Sequence, residues 1–156
     1  MAIRIFTAAA TLALAIGVGA SAMAQSPAVE LTGDVKVVRQ VTIDGKTSET
    51  MEEPNQVLPG DRLVFSTRYK NNGKDPATDF VVTNPLPQPV KLTKAEGFEV
   101  SVDGGKAFGA LAALKAAGED GKPRAAGLAD VTHVRWRLAS IAPGASGEVR
   151  YFAEVR

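Results

Sequence analysis

The stretch RLVFSTRYKNNG, Arg62 to Gly73, carries the clearest periodicity in this 156-residue chain. Leu63, Phe65, Thr67 and Tyr69 fall on one side of a two-residue repeat; Arg62, Ser66, Arg68 and Lys70 fall on the other. Side chains of an extended strand point alternately to opposite faces, so the pattern predicts a half-buried β-strand with one wet face. β-branched and aromatic residues suit that pleated surface. Pro59-Gly60 is a turn dipeptide leading in, and Asn71-Asn72-Gly73 ends the run.

The same repeat recurs on both sides. In HVRWRL, Val134, Trp136 and Leu138 are predicted to point inward, with His133, Arg135 and Arg137 outward. In EVRYFAEVR, Val149, Tyr151, Ala153 and Val155 form the inward set. GFEVSV is a further strand, and ATDFVVTNPLPQPVKL is one that breaks where Pro85, Pro87 and Pro89 remove ladder donors. Near the start, Val35, Val37, Val41 and Ile43 keep strand spacing up to a DGK turn. The alanine-rich segment from Ala107 to Asp130 is predicted as a long connection, with one helical turn or a small hairpin at GEDGK. Strong strands between Pro/Gly turns, without sustained helical periodicity, predict an all-β, immunoglobulin-like antiparallel sandwich of about seven strands. Trp136 is expected between the sheets, with Phe65, Tyr69 and Tyr151 as neighbours.

MAIRIFTAAATLALAIGVGASAMAQ has the parts of an export signal: Arg4, an apolar stretch from Phe6 to Val18, and the small-x-small pattern Ala22-Met23-Ala24. Cleavage is expected after Ala24, giving residues 1–24 as signal peptide and 25–156 as a single sandwich domain, periplasmic or secreted. No stable membrane insertion is expected. The whole chain has 18 basic and 17 acidic residues, and Arg4 is the signal's only charge. The mature part is therefore formally neutral and has no long-range field to concentrate nucleic acid. It has no cysteine, so it must hold by packing without disulfides, and thiolate catalysis and cysteine metal ligation are excluded.

The segment VLPGDRLVFSTRYKNNGKDPATDFVVTNPLP resembles the bacterial conserved repeat domain, domain of unknown function eleven. The resemblance is carried by Pro59-Gly60-Asp61, Asn72-Gly73, Ala77, Val81-Val82 and Leu86-Pro87, and by the closing LASIAPGASGEVRYFAEV. It covers the chain from Val57 to Val155 and implies an immunoglobulin-like sandwich in exported or surface proteins, often in tandem. This chain departs in holding one copy and in the insertion from Gly109 to Asp130. The family implies no catalytic residues.

SVDGGKAFG, Ser101 to Gly109, loosely matches the Asp-box turn of sialidase-like propellers through Ser101, Asp103, Gly105 and Phe108. One copy cannot build a propeller. The physical reading is a chain reversal in which Asp103 accepts local backbone hydrogen bonds and the glycines take positive φ. His133 is the only histidine, short of what a hydrolytic triad or zinc site requires. Asp61, Asp75, Asp79, Asp103, Asp120 and Asp130 lie near turns, where calcium is one reading and turn capping the favoured one. Arg62, Arg68, Lys70, Arg135, Arg137 and Arg150 are read either as an anion-attracting face or as cross-strand partners of Glu148 and Glu154. No cofactor is expected.

The sequence therefore points to an exported, non-enzymatic module with a structural or protein-binding role. The alternative is a carbohydrate-binding module or weak glycosidase. The expected contact is the last strand, read as lying near a sheet edge, with Phe152 as an exposed apolar point beside Arg150 and another exported or surface protein adding a strand there.

Overall fold

The computed structural model describes residues 28–156. The signal sequence, with Arg4 and the cleavage point after Ala24, lies outside the described residues. The described residues form ten strands: β1 (Val29–Ile43), β2 (Lys46–Glu52), β3 (Arg62–Asn71), β4 (Ala77–Pro85), β5 (Val90–Leu92), β6 (Glu99–Ser101), β7 (Lys115–Ala117), β8 (Pro123–Ala125), β9 (His133–Ile141) and β10 (Ser146–Val155). All their pairings are antiparallel. One sheet runs β2-β1-β3-β10-β5 and another β4-β9-β6, with β7 and β8 as a separate hairpin. The protein is an all-β antiparallel sandwich.

Turn chemistry sets the registers. Asp44 and Gly45 both have positive φ, 53° and 75°, the geometry of a two-residue hairpin loop whose twist matches its strands. β2 returns from it along the second half of β1, from Ile43↔Lys46 to Val37↔Glu52. Pro59-Gly60 makes a type II turn, with Gly60 at φ 89° and Asp61 N–H donating to Leu58 O at 3.0 Å. The prolines after β4 carry the chain from one layer to the other, so the run read as a single broken strand supplies β4 to the small sheet and β5 to the large one.

The inward faces follow the predicted phase. Leu63, Val82, Leu92, Val100, Val134, Trp136, Val149, Tyr151 and Ala153 form one buried cluster drawn from both sheets. Trp136 meets Tyr151 at 6.2 Å and Phe98 at 5.1 Å between ring centroids, and Phe65 stacks on Tyr151 at 4.8 Å. Tyr69 differs from expectation: its ring lies across Gly147, where a Cβ would come within 2.2 Å of the phenol oxygen. A hydrogen bond from Asn84 Nδ2 to Thr67 Oγ1 (2.7 Å) ties β4 to β3. The Trp136–Tyr151 contact likewise sets β9 over β10. Three strands thus face three, β4-β9-β6 over β3-β10-β5, and β1 and β2 have no counterpart in the small sheet.

With no disulfide, Asn71 joins the layers. It is wholly buried, donates to Asp75 O (2.9 Å) and to Ile141 O of β9 (2.8 Å), and accepts from Gly73 N–H (2.9 Å). The segment from Ala107 to Asp130 contains both of its predicted alternatives: 3₁₀ turns at Leu111–Ala113 and Leu128–Asp130, and the β7–β8 hairpin around GEDGK.

Candidate functional site

The small sheet's outer face gathers the residues that the sequence singled out. β9 alternates, so His133, Arg135 and Arg137 point away from the core, while β6 brings Glu99 opposite Arg135 and Ser101 opposite His133. The Ser101–Gly109 loop folds over Ser101. Gly104 and Gly105 take φ of 79° and 86°, and Val100 and Gly109 exchange both backbone hydrogen bonds, at 2.9 and 3.0 Å. The chain therefore reverses here, as the residue types predicted.

Asp103 is the hub of that loop. Its Oδ1 accepts from Ser101 Oγ at 2.7 Å and from Lys106 N–H and Ala107 N–H at 3.0 Å. These donors, the Ala107 amide foremost, hold its carboxyl below the usual carboxylate range. Ser101 Oγ accepts from Gly105 N–H at 2.9 Å and is wholly buried. Three local donors make Oδ1 a structural acceptor that fixes the turn. His133 packs beneath the loop, its ring 3.4 Å from where a Gly105 Cβ would stand, and its Nδ1 is 3.1 Å from Thr132 Oγ1.

Beside the loop, Glu99 Oε2 accepts from Arg135 at 2.8 Å and Arg137 at 3.1 Å, and the Arg135 hydrogen bond is the main cause of its lowered pKa. The Arg135 guanidinium also lies 4.0 Å over the Phe108 ring. Sequence reasoning passed over Glu99. The signal was present, since its outward phase in GFEVSV faces an Arg-x-Arg strand.

The six basic residues considered together lie on opposite sides of the molecule. Arg135 and Arg137 are on the small sheet; Arg62, Arg68, Lys70 and Arg150 are on the outer face of the large one, because alternate residues of β3 and β10 share that face. There Arg68 meets Glu148 at 3.3 Å, Arg150 also meets Glu148, Arg62 meets Glu49 at 2.7 Å, and Lys91 meets Glu154 at 3.0 Å. The cross-strand reading describes this face.

The turn aspartates are dispersed, and several are engaged locally. Asp61 accepts from Leu58 N–H at 2.9 Å and from Arg39 at 2.6 Å, which lower its pKa in that order. Asp130 is gripped by both Arg124 terminal nitrogens, at 2.6 and 2.7 Å, and by Gly127 N–H, and its pKa falls to about 2 chiefly through Arg124. Among the described residues no group of three or more His, Asp or Glu side chains is placed to hold a metal ion.

The last strand needs correction. β10 is near the sheet edge, as read, but one strand in, with β5 outside it. At Phe152 the ladder is closed, its carbonyl accepting Thr93 N–H at 3.0 Å and Thr93 Oγ1 at 3.1 Å. β5 pairs only with Ala153–Val155, so the free stretch of β10 precedes Phe152. Phe152 itself is half-buried, opposite Val64 and under the Arg62 guanidinium at 5.9 Å. Val64 is 2% exposed, so a small apolar patch interrupts the charged outer face, and β3 buries residues on both sides.

Among the described residues no helix is long and apolar enough to cross a membrane. No family model, curated protein or solved structure matches this chain.

Proposed function

We propose that the protein is an exported, non-enzymatic β-sandwich module that acts by contact with another exported or surface protein. The observation that carries this reading is the engagement of four of its acidic groups. Asp61, Glu99, Asp103 and Asp130 all have lowered pKa values, each through arginines or backbone amides that fix a turn or pair two strands. A perturbed carboxylate marks catalysis when it faces a cleft with a partner at working distance. Asp130 lines a groove that His133 also lines, but both of its oxygens are held by Arg124 and one also by Gly127 N–H; the other three are held within a turn or across strands.

Export is supported by the tripartite N-terminal sequence, and a periplasmic or secreted location follows from it. The resemblance to the conserved repeat domain points the same way. The carbohydrate reading has less support, because Trp136 and Tyr151 are turned into the core at 8% and 2% exposure.

Two measurements test the proposal. Expressed with its own N-terminus, the protein should appear outside the cytoplasm with Gln25 as its first residue; an unprocessed cytoplasmic product would overturn export. A panel of glycoside, ester and peptide substrates should show no turnover above buffer. Activity abolished by changing one acidic residue would overturn the non-enzymatic assignment.

A further inference from the structure

The mismatch between the two layers leaves a shelf. β1 extends the large sheet past the rim of β4, and from Leu31 to Lys36 no strand of the described residues lies above its inward face. Leu31 is 47% exposed there, and Val35 and Phe65 are half-buried. Between shelf and rim runs a groove of about 320 Å³ lined by Gly33, Val35, Phe65, Thr67, Asn84 and Tyr151, among others.

Three observations give the groove content. Gly33 sits mid-strand on the inward face opposite Thr67, outside the left-handed region, and a Cβ built on it would meet nothing within 4 Å. A strand glycine that no backbone strain requires marks a place where another group comes close. Tyr151 is 2% exposed, and its phenol has no hydrogen-bond partner among the described residues. No fully enclosed side-chain oxygen there is left unpartnered, so the phenol oxygen keeps access to the groove that Tyr151 lines. Finally, the rim of β4 is an open ladder. Asp79, at φ 51°, and Pro85 guard its two ends, and the uncharged run Phe80–Asn84 lies unguarded between them.

We propose that this shelf binds a single extended segment of another protein, paired to the β4 edge with an apolar side chain seated over Gly33. The inference rests on the binding-module reading and names its site. Geometry selects the occupant. A second copy pairing β4 to β4 antiparallel would need its own β3 where this chain's β1 already lies, so an edge-to-edge dimer is blocked. A lone strand, about 4.8 Å wide in the sheet, fits above the one-strand shelf. Among the described residues Asp34 is the only charged one lining the groove, and Lys36 stands 3.7 Å from it. The fitting segment is therefore uncharged over about five residues, apolar at alternate positions, and offers a carbonyl to the Tyr151 phenol.

A displayed library of random linear dodecapeptides, selected on the intact protein, is the probe. Enriched peptides should carry apolar residues at every second position. They should lose at least ten-fold in affinity on Gly33→Trp, which fills the groove from an unstrained position, with the melting temperature unchanged. Val35→Lys, on the same half-buried shelf, serves if the tryptophan variant fails to fold. Absence of enrichment, or peptides indifferent to the folded shelf variant, would overturn the proposal. In the second case the binding-module reading stands and the shelf alone fails, whereas substrate turnover would strike that reading independently of any peptide affinity.

Discussion

Replacing Asn71 by alanine should cost more than any surface change of similar size. The side chain serves three backbone groups: it donates to Ile141 O in the facing sheet and to Asp75 O, and accepts from Gly73 N–H. A buried polar group stripped of its partner costs about 1–3 kcal/mol. Ile141 O is the most enclosed of the three, while the other two, part-buried, recover some hydration. The sum is about 2–4 kcal/mol, a large share of the roughly 5–15 kcal/mol that holds a domain together. Thermal unfolding followed by circular dichroism should show a fall of about 10 °C, with urea midpoints giving the free energy directly. Asn72→Ala is the control, because its exposed amide reaches only Glu30, and it should shift stability by less than about 0.5 kcal/mol. An Asn71→Ala protein within 1 kcal/mol of the parent would refute the view that this amide joins the layers.

Trp136→Ala removes the ring between Phe98 and Tyr151 and should cost about 3–5 kcal/mol; native tryptophan emission should be blue-shifted, and a red-shifted spectrum would contradict its burial. Phe152→Asp places a carboxylate beside buried Val64, so it should lower the melting temperature measurably, and an unchanged value would show the site to be freely solvated. Gly45→Ala forces a side chain into positive φ and should destabilise by about 1 kcal/mol, read from urea midpoints. Asp130 has a folded pKa of about 2 against an ordinary 3.8. Its contribution is complete above about pH 4 and is lost as pH falls through 2. Asp130→Asn should therefore flatten the stability profile between pH 4 and pH 2, and an undiminished slope would exclude its part in acid unfolding.

Much of the architecture could be read locally. The two-residue repeat in Arg62–Asn71 gave both faces of β3 except Val64, whose burial depends on Phe152 in a strand remote in sequence. Asp44-Gly45, Pro59-Gly60 and Gly104-Gly105 revealed their turns because positive φ leaves a compositional mark. Strand neighbours leave none, which is why the reading of β10 as near a sheet edge did not foresee β5 and Thr93 closing the ladder at Phe152. The Ser101–Gly109 reversal was legible because its hydrogen bonds close within nine residues. The role of Asn71, by contrast, depends on Ile141, and no local pattern announces that. The shelf was invisible for the same reason, since an unmatched strand is a property of two sheets together.

The position of β10 constrains how the molecule comes into being. It is the latest strand in the sequence, yet it supplies the neighbour of both β3 and β5, in pairs running from Lys70↔Ser146 to Arg62↔Glu154. Contacts that join remote parts of a chain form slowly, because loop closure must precede them. The large sheet therefore stays divided between β3 and β5 until residues 146–155 are in place, and the insertion of β10 between them is the step that completes it.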